Sequence, residues 1–227
     1  MSCAFPVVPM PLMRRGTSAA LVLALAALAA CGSDPQVPSA AEPTTTSAIS
    51  SEVASVSPTI PTVRITDAKG KGVRNVLVRW RVTSGGGRVV NDSVRTAGNG
   101  EASSGGWTLG PIAGTQTLTA TADGVPVVTF TATAAPGPVA QLTRLSAEAG
   151  EGVVGSEVAT RPSIRTEDVY GNPVPNVAVT FTVTQGGGTV TGGTQTSNAS
   201  GIATVGAWTL GPQAGQQFLR ATALGTQ

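Results

Sequence analysis

The residue types that carry out proton and acyl transfer are nearly missing from this chain of 227 residues. It has no histidine and two cysteines, Cys3 and Cys31, so Ser-His and Cys-His nucleophilic arrangements are excluded and a zinc site nearly so. Glu167 and Asp168 are adjacent, but neighbours on a strand point to opposite faces and cannot work as a carboxylate pair. Glu148, Glu151 and Glu157 sit in a glycine-rich connection, where solvated loop charges are the plain reading and a weak calcium site is the alternative. The glycine runs Gly85 to Gly87 and Gly186 to Gly188 lack the lysine and the following helix of a phosphate loop, and read as turns. No catalytic, metal or cofactor residue is assigned, and the chain is read as a non-enzyme. What remains is charge: Arg64, Lys69, Lys71, Arg74, Arg79, Arg81, Arg88 and Arg95 face only Asp67 and Asp92 in the same stretch. Arg79 and Arg81 share one exposed face, which suits a polyanion such as lipopolysaccharide or an acidic glycan. The alternative is a solvated sheet face whose charges guard against edge-to-edge association.

Cys31 has a different context. Arg14 and Arg15 precede an apolar run from Ala19 to Ala30, about a dozen residues where a spanning helix needs ~20, so the run reads as the core of an export signal. It ends in Leu28-Ala29-Ala30-Cys31, which resembles the lipobox of bacterial lipoproteins; the alternative is an ordinary secretory signal that ends at a cysteine. The resemblance implies that the chain is cut before Cys31 and that the sulfur carries lipid, with small Ala29 and Ala30 admitting the peptidase. Residues 1–30 are then a lipoprotein signal peptide, with Met10 or Met13 as an alternative start. The mature protein is expected to be exported and held to a membrane through Cys31. Gly32, where an aspartate would mark inner-membrane retention, points to the outer membrane or cell surface. Cys3 leaves with the signal, so no disulfide is possible. Without Arg14 and Arg15, 12 of the 14 Lys and Arg remain against 12 Asp and Glu. The mature chain is near neutral, and its overall charge gives no support for binding nucleic acid.

The elements that position the arginines are repeated. Asp67 matches Asp168, Asn75 matches Asn176, Gly85 to Gly87 match Gly186 to Gly188, and Trp107 to Pro111 match Trp208 to Pro212, at one constant offset and without a gap. Within each copy the hydrophobic period is two. Val76, Val78, Trp80 and Val82 share one face, with Leu77, Arg79 and Arg81 on the other; Val177, Val179, Phe181 and Val183 repeat the pattern. Leu118, Ala120, Val128, Phe130 and Ala132 also take inward positions. Turn clusters every eight to twelve residues complete the signature of a β-sandwich, and Trp107 and Trp208 are expected to fill the two cores. Residues 31–55, rich in Ser, Thr, Ala and Pro, read as a disordered tether. The expected organisation is all-β: a sandwich over 56–136 and a second over 137–227, the latter lacking its last strand, because nothing follows its Ala-Thr-Ala strand as Val127 to Ala134 follow the first.

Asp168-Val169-Tyr170-Gly171-Asn172-Pro173-Val174, the strand Val177 to Phe181, the glycine-rich turn and the phrase GIATVGAWTLGPQAG together resemble the bacterial Ig-like domain of the invasin and intimin type. The first copy departs from that pattern, with Lys71 and Gly72 in place of Asn172 and Pro173. The resemblance implies tandem Ig-like modules that act in adhesion or recognition at the cell surface, with a protein or glycan ligand. Two alternatives stand beside it: a structural spacer that binds nothing, and the N-terminal stalk of a longer protein. An open sheet edge awaiting a partner strand would also account for the shorter second copy.

Overall fold

The computed structural model describes residues 36–46, 48–147 and 151–224. The expected signal peptide, Cys31 and Glu148 fall outside these residues. The described chain contains no helix and forms two β-sandwiches of Ig-like type in tandem.

In module 1 the strands are β1 (Ala40–Pro43), β2 (Ala48–Glu52), β3 (Thr62–Thr66), β4 (Leu77–Val82), β5 (Arg88–Val89), β6 (Ser93–Arg95), β7 (Glu101–Ser103), β8 (Trp107–Thr108), β9 (Gly114–Thr121) and β10 (Val128–Ala135). One sheet has the order β1-β3-β7 and the other β2-β10-β9-β4-β6, while β5 and β8 form a separate short ribbon. Module 2 repeats the plan with β11 (Gln141–Arg144), β12 (Ser163–Glu167), β13 (Ala178–Gln185), β14 (Thr189–Thr191), β15 (Thr194–Thr196), β16 (Ile202–Thr204), β17 (Ala207–Thr209) and β18 (Phe218–Ala223). Its sheets are β11-β12-β16 and β15-β13-β18, with β14 paired to β17.

The alternation in the sequence is realised as burial. Along β10 every second side chain, from Val128 through Ala134, is buried and the intervening threonines are exposed. Leu118, Phe130 and Ala132 have no exposed surface, and Trp80 packs its ring against Phe130 with centroids 5.7 Å apart. Asn75 and Asn176, two residues before β4 and β13, adopt φ of 65° and 61°. Asparagine tolerates this left-handed region, so the residue matched between the copies is the one that turns the chain into its central strand.

The repeated Trp-Thr-Leu-Gly phrase combines three packing demands. In module 1, Trp107 and Leu109 are fully buried. Gly110 passes so close to the glycine turn that an added Cβ would lie 1.6 Å from the Gly85 carbonyl oxygen, and Gly211 meets Gly186 at 1.7 Å in the same way. Gln116, itself buried, then accepts a hydrogen bond from the Gly110 amide (2.7 Å) and donates to the carbonyl of Ile112 (2.8 Å). Gln217 accepts from the Gly211 amide at 2.6 Å.

Two expectations are corrected. The segment expected to be tether down to residue 55 contains β1 and β2. β1 pairs antiparallel with β3, Ala40 opposite Thr66, and β2 pairs parallel with β10, Ala48 opposite Thr131. Ile49 and Val53, the isolated apolar residues of a polar stretch, are 4% and 6% exposed and belong to the core. Two such anchors suffice to order an edge strand, whereas a periodicity search requires a longer alternation. The second correction concerns Trp208, which is half-buried rather than enclosed, as is Leu210. Module 2 has a smaller buried cluster, formed by Ile164, Val179, Phe181, Ala203 and Val205. Among the described residues it has no strands in the positions of β2 and β10, whose side chains complete the core of module 1.

Candidate functional site

The carboxylates of Glu167 and Asp168 go separate ways. Glu167 accepts from Thr143 Oγ1 (2.6 Å) and Gln141 Nε2 (3.3 Å), its cross-strand neighbours on β11, and lies 3.4 Å from Arg165 Nη1. Asp168 has no exposed surface and points into the junction between the modules. Its Oδ1 accepts the amides of Tyr170 (2.8 Å) and Asn172 (2.9 Å), which closes a tight turn. Its Oδ2 accepts the Asn172 side-chain amide (2.9 Å) and the backbone amide of Gly137 (3.0 Å), in the link between the modules. Burial pushes the Asp168 pKa up, but the bonds from the Asn172 side chain, Gly137, the Asn172 backbone and Tyr170 together outweigh it, holding the group below the usual carboxylate range.

Asn172 carries the turn across the junction. Its Nδ2 donates to the Pro111 carbonyl (2.8 Å) and its Oδ1 accepts from the Ala113 amide (2.9 Å), both in module 1. One side chain thus clasps a loop of the preceding module with a donor and an acceptor, while Asp168 fixes that side chain and the link together. In module 1 the homologous Asp67 closes the same turn, accepting the amides of Lys69 and Lys71 at 2.9 Å. Lys71 occupies the position of Asn172 and cannot accept a hydrogen bond. The clasp was not recognised from the sequence. Its trace was the departure of Lys71 and Gly72 from Asn172 and Pro173, which reads as degeneracy until the junction is seen.

Arg79 and Arg81 are both exposed on the outer face of β4, and Arg95 on β6 joins them: Arg79 lies opposite Ser93 and Leu77 opposite Arg95, so the three side chains emerge from one face. Beside them run Thr121, opposite Arg79, and Thr119, opposite Arg81. Arg95 donates to the Asn75 carbonyl (2.8 Å), while neither Arg79 nor Arg81 has an ion-pair partner among the described residues.

Glu157, in the expected acidic loop, pairs with Arg161 at 3.4 Å, and no group of three metal-ligating side chains occurs among the described residues. A shallow cleft in module 2, between Leu142 and Ile164 of one sheet and Phe181 and Leu219 of the other, lies on its open side. There β18 pairs only with β13 among the described strands.

No family model and no curated protein matches the chain. Several solved structures are similar to it in fold. FdeC, an Escherichia coli adhesin, is 18% identical with a TM-score of 0.44, over 85% of this chain and 62% of that one. InvD of Yersinia pseudotuberculosis is 18% identical with a TM-score of 0.46, over 82% of this chain and 52% of that one. The D0-D1 domain of intimin is 20% identical with a TM-score of 0.30, over 82% of this chain and 89% of that one. The chain therefore spans less than two thirds of the FdeC and InvD chains. The likeness is one of fold.

Proposed function

We propose that this protein is a surface lipoprotein, anchored through lipid on Cys31, whose two clasped Ig-like modules present a recognition surface for adhesion at the cell surface. The observation that carries the reading is the junction: Asp168 and Asn172 couple the modules through the link and through the Pro111 to Ala113 loop. A coupled pair holds the surface of one module at a set position relative to the other, which is what display requires and catalysis does not. The motif resemblance to invasin- and intimin-type modules and the absence of histidine from the chain agree with it.

The anchor is tested by feeding expressing cells a labelled fatty acid: label is expected on the wild-type chain and absent from C31S, and equal labelling of both removes the anchor from the account. Recognition is tested by presenting the purified chain to glycan, matrix-protein and envelope arrays, with saturable binding expected. The open, shallow cleft of module 2 favours a second reading, a spacer without a ligand. Complete silence on the arrays would select it.

A further inference from the structure

The two modules form a substitution experiment within one chain. Arg79, Arg81, Arg88 and Arg95 of module 1 correspond to Thr180, Thr182, Thr189 and Thr196 of module 2, on equivalent strands with equivalent pairing: Arg79 opposite Ser93, Thr180 opposite Thr194. The fold therefore has no need of arginine at these positions. Threonine is the better strand former, and like charges side by side on a sheet destabilise it. A row of cations that folding does not require, and that no acidic side chain pairs with among the described residues, is accounted for by something that binds it.

We propose that the outer face of β9, β4 and β6 docks a linear anionic polysaccharide, its sulfate or carboxylate groups held by Arg81, Arg79 and Arg95. The inference rests on the recognition reading and names its ligand. Side chains two apart on a strand are separated by ~6.8 Å, and a diagonal cross-strand neighbour by ~7–8 Å, so the three stems form a row about 14 Å long with a nearly even step. Each guanidinium fork fits a carboxylate or sulfate in bidentate fashion. Between and beside them the hydroxyls of Ser93, Thr119 and Thr121 supply partners for sugar hydroxyls. Thr119 and Thr121 donate weakly to the backbone carbonyls of Arg81 and Arg79 (3.3 and 3.4 Å), which leaves their oxygens as acceptors. The nearby acid is Asp92, beside Trp80 within the length of the row, and its carboxylate accepts from Ser93 Oγ at 3.0 Å.

The chemistry of the face selects among polyanions. It is open and flat, so a small isolated anion gains little, whereas a chain gains by engaging several sites at once. It offers no aromatic surface for stacking bases, since Trp80, Trp107 and Phe130 are buried. The apolar side chain that β9, β4 and β6 place on this face is the half-buried Leu77 alone, too little for insertion into a lipid surface.

The test uses the full chain in detergent, titrated by calorimetry with heparin, with uncharged dextran and with single-stranded DNA of matching charge, at several salt concentrations. The wild type is expected to bind heparin and not dextran, and to prefer heparin to DNA. R79T/R81T/R95T should weaken heparin binding at least tenfold and lower the salt slope by about 2 to 3, one per lost contact, as counterion release predicts. The reciprocal T180R/T182R/T196R should strengthen it, and unchanged thermal transitions show that both variants fold. Heparin binding that survives the triple replacement overturns the assignment to this face while leaving recognition standing. DNA binding as tight as heparin binding overturns the choice of ligand. No heparin binding by the wild type overturns the proposal, and the arrays described above then decide recognition separately.

Discussion

Replacing Asn172 by alanine cuts the junction while leaving both sandwiches whole. The substitution removes the bond to the Pro111 carbonyl, the bond from the Ala113 amide and the side-chain bond to Asp168. Only the first two cross between modules. A neutral hydrogen bond contributes a net ~0.5–1.5 kcal/mol, so the pair contributes about 1–3 kcal/mol. Asn172 is half-buried, and water can reach the groups it leaves, which excludes the larger penalty of stranded buried partners. The ratio of coupled to uncoupled junctions should fall by roughly 5- to 150-fold. Residual dipolar couplings measure this directly: in the wild type the amides of both modules report one common alignment frame, and in N172A the two frames separate and average independently. Melting of each module should be nearly unchanged, since no core residue is touched. If N172A keeps the common frame, the clasp is a by-product of packing, and the coupling argument fails with it.

Asp168 predicts a pH response. Its folded pKa lies below the ordinary value of 3.8, so its contribution is complete above that value and is lost as pH falls through the folded pKa. Stability should decline on acidification below about pH 4, and D168N, which cannot carry the charge, should flatten that decline; an identical pH profile for the variant refutes the linkage. W107A should cost ~3–5 kcal/mol in a denaturant melt, and W208A distinctly less, because Trp107 is fully buried and Trp208 is not; equal costs would contradict the difference between the cores. I49A should destabilise module 1 by ~2–5 kcal/mol, whereas a residue in a disordered tether would give no change.

The central strands were legible because their patterning is long and regular: Val76 to Val82 and Val177 to Val183 alternate without a break, and Leu118 to Ala132 extend the pattern to the neighbouring strands. β1 and β2 were not. A strand of four or five residues held by ladder pairing and two apolar anchors has a composition much like that of a linker, and its partners, Val63 to Thr66 and Thr131 to Ala135, lie far along the chain. The exposed placement of Arg79 and Arg81 followed from parity alone. Their alignment with Arg95 required the register between β4 and β6, which no local signal encodes. The clasp was hidden for a related reason: Asn172 and Pro111 are 61 residues apart, and a polar side chain in a turn is equally at home making local bonds.

The parallel pairing of β2 with β10 has a mechanical consequence. Once β1 has parted from β3, tension drawn through module 1 from end to end enters the larger sheet by β2 and leaves it by β10. Because the two run in the same direction, with Ala48 beside Thr131 and Glu52 beside Ala135, such a load slides one along the other. All five rungs are then strained together instead of being unzipped in turn, and Ile49 and Val53 must be dragged out of the interior at the same moment. Module 1 is built to resist being pulled from its two ends.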